Sequence, residues 1–308
     1  MILSRILRRA IKQLRILNNY GPSSIIDDFL NGLRVWSLKP ESKKSSYSAD
    51  SISGTDTGYM SIVQAALSDE EIFSKFKSNR EYREILEHVN RELGAKYLQI
   101  INQYGRIPKP LLDTFTLDKC SPFRYTYAGL GRVPPSNLRY GKVALDIRTL
   151  FGSLDNFRIS EIGVGYGGQY QALTKISNVK SYTFYDLPQV IQLANMYISQ
   201  VSSELKNHLI GDFNVRNTEI DLVISNYAFS ELDRGLQEIY LKNVILNSKR
   251  GYLIYNDISK GIFDTIHVEE FANRIPGAIV IEEFPLTHPK NKLVIWGHNN
   301  LSQLVLGG

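Results

Sequence analysis

Apolar residues recur along this chain with two different periods, and the switch between them divides it. In the N-terminal part the repeat is three to four residues, the signature of a helix with one apolar side. Leu3, Ile6, Leu7, Ala10, Leu14 and Leu17 form such a stripe over the first 17 residues. Tyr82, Ile85, Leu86, Val89 and Leu93 form another, ending before Gly94. Between them, residues 41–58 are rich in serine and glycine and read as a loop or flexible lid. Ser68 with Glu71 reads as a capping box for the helix that follows. Residues 104–135 hold Gly105, Pro108, Pro110, Pro122, Gly129, Gly131, Pro134 and Pro135, the composition of an irregular connection. Ser136 is then placed to cap a helix from Asn137 to Phe151 that stops at Gly152.

From Arg158 onward short apolar segments alternate with helical ones. Strands are predicted at 158–162, 181–185, 221–225, 251–255, 278–283 and 292–297, with a weaker one near 208–210. Alternation of this kind predicts a mainly parallel sheet covered by helices on both faces. The last two strands are joined by a segment too short for a helical crossover, so they should pair as an antiparallel hairpin. The expected fold is therefore α/β and Rossmann-like, with a seven-stranded sheet and a mostly helical N-terminal region. The expected divisions are a basic helix over residues 1–20, a helical and irregular region over 21–135 and a ligand-binding domain over 136–308.

The first of these strands runs into a glycine turn, "EIGVGYGG", with Gly163, Gly165, Gly167 and Gly168. Such a turn lets the chain reverse sharply and its backbone approach a ligand closely. About 20 residues further on, Asp186 closes the second strand, where an acid can hold a ribose diol by paired hydrogen bonds. Gly163, Gly165 and Gly168 also satisfy the dinucleotide spacing G-x-G-x-x-G, so an NAD-dependent oxidoreductase is the alternative. Glu161 weighs toward a methyl donor, because an acid at the strand end can receive the ammonium of a methionine moiety, directly or through water. The expected hairpin and "DLVISNYAFSEL", which sets Asn226 and Tyr227 beside the reacting atoms, weigh the same way. Asp212, in "IGDF", is placed to accept from an adenine amino group.

Composition and charge narrow the setting. The chain has 308 residues, 43% hydrophobic, with a net charge of +5. The excess sits at one end: Arg5, Arg8, Arg9, Lys12 and Arg15 lie in the first 20 residues, which hold no acid. The remainder has 31 basic and 31 acidic residues, against the one-sided charge of a nucleic-acid enzyme. The five basic residues face away from the apolar stripe, a pattern suited to peripheral contact with an anionic membrane. A single cysteine, Cys120, excludes an internal disulfide framework and a cysteine-rich metal site, and points to the cytoplasm.

"SNLRYGKVALDIRTLFGSLDNFRISEIGVGYGGQ", "SYTFYDLPQVIQLA" and "DLVISNYAFSEL" together resemble the sugar O-methyltransferases of bacterial surface-polysaccharide loci. The likeness is strongest over residues 136–260 and faint before residue 100. It implies a class I methyltransferase fold, S-adenosylmethionine as donor and a sugar hydroxyl of a surface glycan or its nucleotide- or lipid-linked precursor as acceptor. The enzyme would then work in the cytoplasm, close to the inner membrane face. The glycine turn, Glu161, Asp186, Asp212 and Asn226 would hold the cofactor. Tyr227, Arg139 and Tyr166 would meet the substrate, with Arg124 and Arg132 available to an acidic sugar or a phosphate. A sugar hydroxyl is a poor nucleophile and benefits from a base, for which Glu231, His288 and Asp257 are the candidates and His267 the outsider. No spacing requires a metal. A methyltransferase-like scaffold without turnover is the remaining alternative.

Overall fold

The computed structural model describes residues 23–38, 57–116, 118–201, 208–256 and 264–305. The predicted helix over residues 1–20, most of the predicted 41–58 loop and Asp257 lie outside them.

The N-terminal part consists of helices α1 (Ser23–Gly32), α2 (Thr57–Ser68), α3 (Glu70–Phe73), α4 (Arg80–Ile85), α5 (Arg91–Gln103) and α6 (Lys109–Thr116). A two-stranded antiparallel ribbon follows, β1 (Tyr125–Tyr127) with β2 (Gly131–Val133). The long helix α7 (Pro135–Phe151) leads into the sheet. There, β3 (Arg158–Ile162), β4 (Ser181–Tyr185), β5 (His208–Ile210), β6 (Leu222–Asn226) and β7 (Gly251–Asn256) alternate with α8 (Gly168–Thr174), α9 (Pro188–Val201) and α10 (Arg234–Asn243). Helix α11 (Val268–Asn273), β8 (Ile279–Glu282) and β9 (Asn291–Trp296) close the described fold.

Several local expectations are corrected. Ser68 ends α2, and Asp69 is the cap of the next helix: its Oδ1 accepts from the Glu71 and Ile72 amides at 2.8 and 3.1 Å. The stripe from Tyr82 to Leu93 is two helices, because Asn90 caps a new one by accepting from the Leu93 amide. Gly94 is inside α5, not beyond a helix end, and a Cβ there would meet the Tyr127 hydroxyl at 2.1 Å. The 104–135 segment contains α6 and the β1–β2 ribbon. Ser136 does not cap α7, which starts at Pro135, where proline costs no helical hydrogen bond. Its hydroxyl donates instead to Glu87 at 2.7 Å.

The sheet order is β5-β4-β3-β6-β7-β9-β8. Its first five strands in this order are parallel, and β9 runs antiparallel between β7 and β8. Numbered within the sheet alone, this is 3-2-1-4-5-7-6 with strand seven reversed. The fold is that of a class I methyltransferase.

Strand alternation supplies the sheet's two cores. Leu222 and Ile224 of β6 face the layer of α7, α8 and α9, while Val223 between them faces α10 and α11. The first core runs without a break from Tyr59 and Phe76 in the N-terminal helices to Ile295 in the sheet. Helix α7 is buried on nearly every side because it lies between these parts, so its sequence shows no simple stripe. Among the described residues no helix is long and apolar enough to cross a membrane.

Candidate functional site

A cavity of about 820 Å³ opens along the carboxyl ends of the parallel strands. That is where open α/β sheets receive ligands, and the volume falls in the roughly 300–1,000 Å³ range of ligand pockets. Its floor is the glycine turn. Gly163 and Gly165 line it with φ of 81° and 53°, in the left-handed region that glycine adopts without cost. A Cβ on Gly163 would lie 2.0 Å from that of Ala228, so this turn and the one after β6 touch.

Asp186 stands beside the turn and shapes it. Its Oδ2 accepts from the Gly165 amide at 3.0 Å and its Oδ1 from the Leu187 amide at 2.7 Å. Burial raises its pKa to about 6 against the pull of those amides. Beyond Asp186, Tyr185, Phe213 and Tyr240 form an aromatic wall, with the rings of Phe213 and Tyr240 centred 5.1 Å apart.

The opposite wall follows β6. Asn226 donates to Gln169 Oε1 at 3.3 Å, and its buried Oδ1 has no partner among the described residues. Tyr227 has φ 72°, strained for a bulky residue. It is held there by its amide bond to Ile254 O at 2.8 Å and by its hydroxyl, which donates to Glu283. Glu231 ends the turn Ala228–Glu231 and accepts from Asn256 Nδ2 at 2.6 Å; burial raises its pKa. Thr287 and His288 reach in from the segment between β8 and β9. The N-terminal part contributes Tyr59 and Ile85 from its helices and Leu86 and His88 from the segment between α4 and α5, and α7 contributes Arg139.

The structure thus brings Gly163, Gly165, Asp186, Asn226, Tyr227, Glu231, His288 and Arg139 to one cavity. Other expected residues are elsewhere. Glu161 does not line the cavity; it points into the first core, where its Oε2 accepts from the Tyr182 hydroxyl at 2.7 Å. Burial raises its pKa to about 8, the Tyr182 bond opposing and the charge of Asp186 adding. Gly167 is the N-cap of α8, with φ 86°, and faces Ile198, away from the cavity. Tyr166 is buried, its ring edge-on to those of Tyr140 and Tyr197 and covered by the Lys77 ammonium at 3.4 Å, so it cannot meet a substrate in this arrangement. Asp212 is exposed, closed into a turn by accepting from the Asn214 amide at 2.9 Å; its neighbour Phe213 takes the place at the wall. Arg132 pairs with Asp27 at 2.7 Å and Arg124 donates to Asp118 O at 2.5 Å, which ties both to the N-terminal body. His267 caps α11. Among the described residues no group of His, Cys, Asp and Glu is arranged to hold a metal.

His88 is the residue that periodicity hides, since it sits between the stripe positions Leu86 and Val89. Its Nδ1 lies 3.1 Å from Ile85 O, so the neutral ring keeps Nε2 as an acceptor. The side chain is exposed on the cavity side, where partial burial together with the charge of Arg139 lowers its pKa. At His288 the polarity is reversed: Nδ1 accepts from the Lys290 amide at 3.2 Å, which leaves the proton on Nε2.

No protein-family model matches the chain, and no curated protein matches it. Among solved structures, the pyocyanin biosynthetic protein PhzM superposes with a TM-score of 0.40 at 16% identity, over 54% of this chain and 56% of that one. A Thermoplasma acidophilum protein gives 0.38 at 15% identity, over 64% and 99%. An rRNA methylase from Streptococcus thermophilus gives 0.36 at 13% identity, over 49% and 89%. The matched part thus spans little more than half of PhzM.

Proposed function

We propose that this chain is an S-adenosylmethionine-dependent O-methyltransferase acting on a sugar hydroxyl of a surface polysaccharide or its precursor. The observation that carries the donor is the cavity wall itself. It joins a glycine turn, an acid at the end of the neighbouring strand and two buried polar atoms without partners, Asn226 Oδ1 and Arg139 Nε. The reversed β9 also departs from the all-parallel sheet of the dinucleotide fold, which weakens the NAD reading.

When bound, the donor supplies a methyl group on a positively charged sulfur. Asp186 would hold the ribose hydroxyls with the lone pairs its amide partners leave free. The aromatic wall of Tyr185, Phe213 and Tyr240 would cover the adenine, and Asn226 would serve the ammonium end. Glu231 is the base: its raised pKa suits it to accept the proton of an acceptor hydroxyl, and Asn256 fixes the orientation of its carboxylate. The N-terminal helices shape the acceptor site through Tyr59, Leu86 and His88. The acceptor class rests on the sequence resemblance alone.

Two features support work near an anionic membrane face. One is the run of five basic residues at the amino end. The other is α1, which turns Asp27 and Asn31 inward and Ile26 and Phe29 outward, with Leu33 exposed just after it.

Calorimetric titration with S-adenosylhomocysteine and with NAD tests the donor. Binding of the first alone is expected; binding of NAD alone would overturn the proposal. Mass spectrometry of the native glycan with and without the protein tests the acceptor; one sugar is expected to lack a methyl group when the protein is absent.

A further inference from the structure

Among the described residues four cations are buried: Lys77, Arg91, Arg139 and Lys142. Three of them have a carboxylate. Lys77 meets Asp118 at 2.8 Å, Arg91 meets Asp28 at 3.1 Å and Lys142 meets Asp146 at 2.5 Å. Arg139, 4% exposed, has none within ion-pair distance among them. Its neighbours are phenols. It donates to the Tyr140 hydroxyl at 3.1 Å and lies over that ring at 4.9 Å, with Tyr97, Tyr227 and His88 near it. Its Nε is buried without a partner. A guanidinium withdrawn from water with no counter-charge is unfavourable, and proteins keep such groups chiefly where a ligand completes them.

Arg139 is also placed to meet a ligand. It lines the cavity from α7, next to Tyr140, whose ring lies against Gly168 at the start of α8, and close to Tyr227 on the opposite wall. No other lysine or arginine lines the cavity among the described residues. One planar fork suits a single carboxylate, which it can engage through two parallel N–H donors; a phosphate chain would ordinarily draw several donors.

We propose that Arg139 is the carboxylate anchor of this cavity. The carboxylate can come from two sources: the amino-acid end of the methyl donor, which rests on the reading above, or an acidic sugar such as a uronate in the acceptor. With Asn226 serving an ammonium, the first source would give a clamp for a zwitterion.

The test compares the wild-type chain with Arg139→Met and Arg139→Lys by calorimetry. The probes are S-adenosylhomocysteine, methylthioadenosine (which lacks the amino-acid end) and glucuronate. An anchor for the donor predicts that Arg139→Met weakens S-adenosylhomocysteine about tenfold or more, leaves methylthioadenosine within about twofold, and that Arg139→Lys recovers part of the loss. An anchor for the acceptor predicts the same loss for glucuronate alone. Melting of the ligand-free variant separates anchoring from structure, because removing an uncompensated charge should leave the midpoint unchanged or raise it. Unchanged binding of both carboxylates overturns the proposal. So does an equal loss for S-adenosylhomocysteine and methylthioadenosine with a lowered midpoint in Arg139→Met and in Arg139→Lys. If the wild type binds neither nucleoside, the methyl-donor reading fails and the glucuronate arm decides Arg139 alone.

Discussion

Single residues in and behind the site are set against their own ionisation, and this can be measured. Glu161 has a folded pKa of about 8, against roughly 4.3 for an unperturbed glutamate. Between those values the folded state holds a proton that the unfolded state has lost, so stability falls as pH rises from about 4.3 through 8. Glu161→Gln removes the titration while keeping a neutral, hydrogen-bonding side chain. Its melting temperature should therefore fall less steeply than the wild type's between pH 5 and pH 9. Parallel melting curves for the two proteins would show that Glu161 is not held neutral. Glu231 makes a separate claim. As the base it acts only when a proton leaves the acceptor, so Glu231→Gln should lower turnover about 10²–10⁴-fold. S-adenosylhomocysteine affinity should stay within about twofold. Unchanged turnover on the native glycan would remove Glu231 from the mechanism.

At the scale of elements, close approach decides what periodicity leaves open. Helices α6 and α7 meet at Gly141, where a Cβ would sit 2.5 Å from the Phe115 ring. Gly141→Ala should destabilise by about 1–3 kcal/mol, the usual cost of overpacking a core, although alanine favours helix. Phe115→Leu in the same chain should recover part of that cost, read as a coupling energy in urea denaturation; purely additive effects would mean that the contact is not the cause. Such contacts mark where the sequence was readable and where it was not. The sheet was legible because β3, β4, β6 and β7 are short apolar runs between turn residues, and the reversed strand followed from a connection too short to cross over. Gly163, Asp186 and Asn226 were legible because each stands at a strand's carboxyl end. The helix break at Asn90 was not, since Asn90 and the apolar stripe around it fit one continuous helix equally well until the cap forms. Asp212 and Phe213 were exchanged because adjacent residues in a loop share no period that says which faces the cavity. His88 and the isolation of Arg139 depend on contacts far apart in sequence, and no local pattern reports them.

The whole molecule has an outside as unusual as its cavity. Helix α1 is amphipathic in the reverse sense. Asp27 is buried with Arg132 and Asn31 with Arg124, while Phe29 and Leu33 are 66% and 69% exposed. Exposed apolar residues are ordinary one at a time, but five clustered on one short segment, Ile25, Ile26, Phe29, Leu33 and Val35, indicate a contact surface. The chain just before α1 carries five basic residues and no acid within its first 20. Each basic residue near an anionic bilayer contributes about 1 kcal/mol, and an inserted aromatic adds to this. The full chain should therefore partition onto vesicles containing phosphatidylserine and remain free of neutral ones. Removing residues 1–20 should abolish the charge-dependent part, and raising the salt concentration should mimic that loss, because surface attraction is screened within a Debye length. Phe29→Glu should weaken partition about tenfold without moving the melting temperature, since the side chain it replaces already faces water. Full partition of both variants would sink the membrane reading. Sedimentation that shows wild-type dimers and monomeric Phe29→Glu would assign this face to a second copy of the chain.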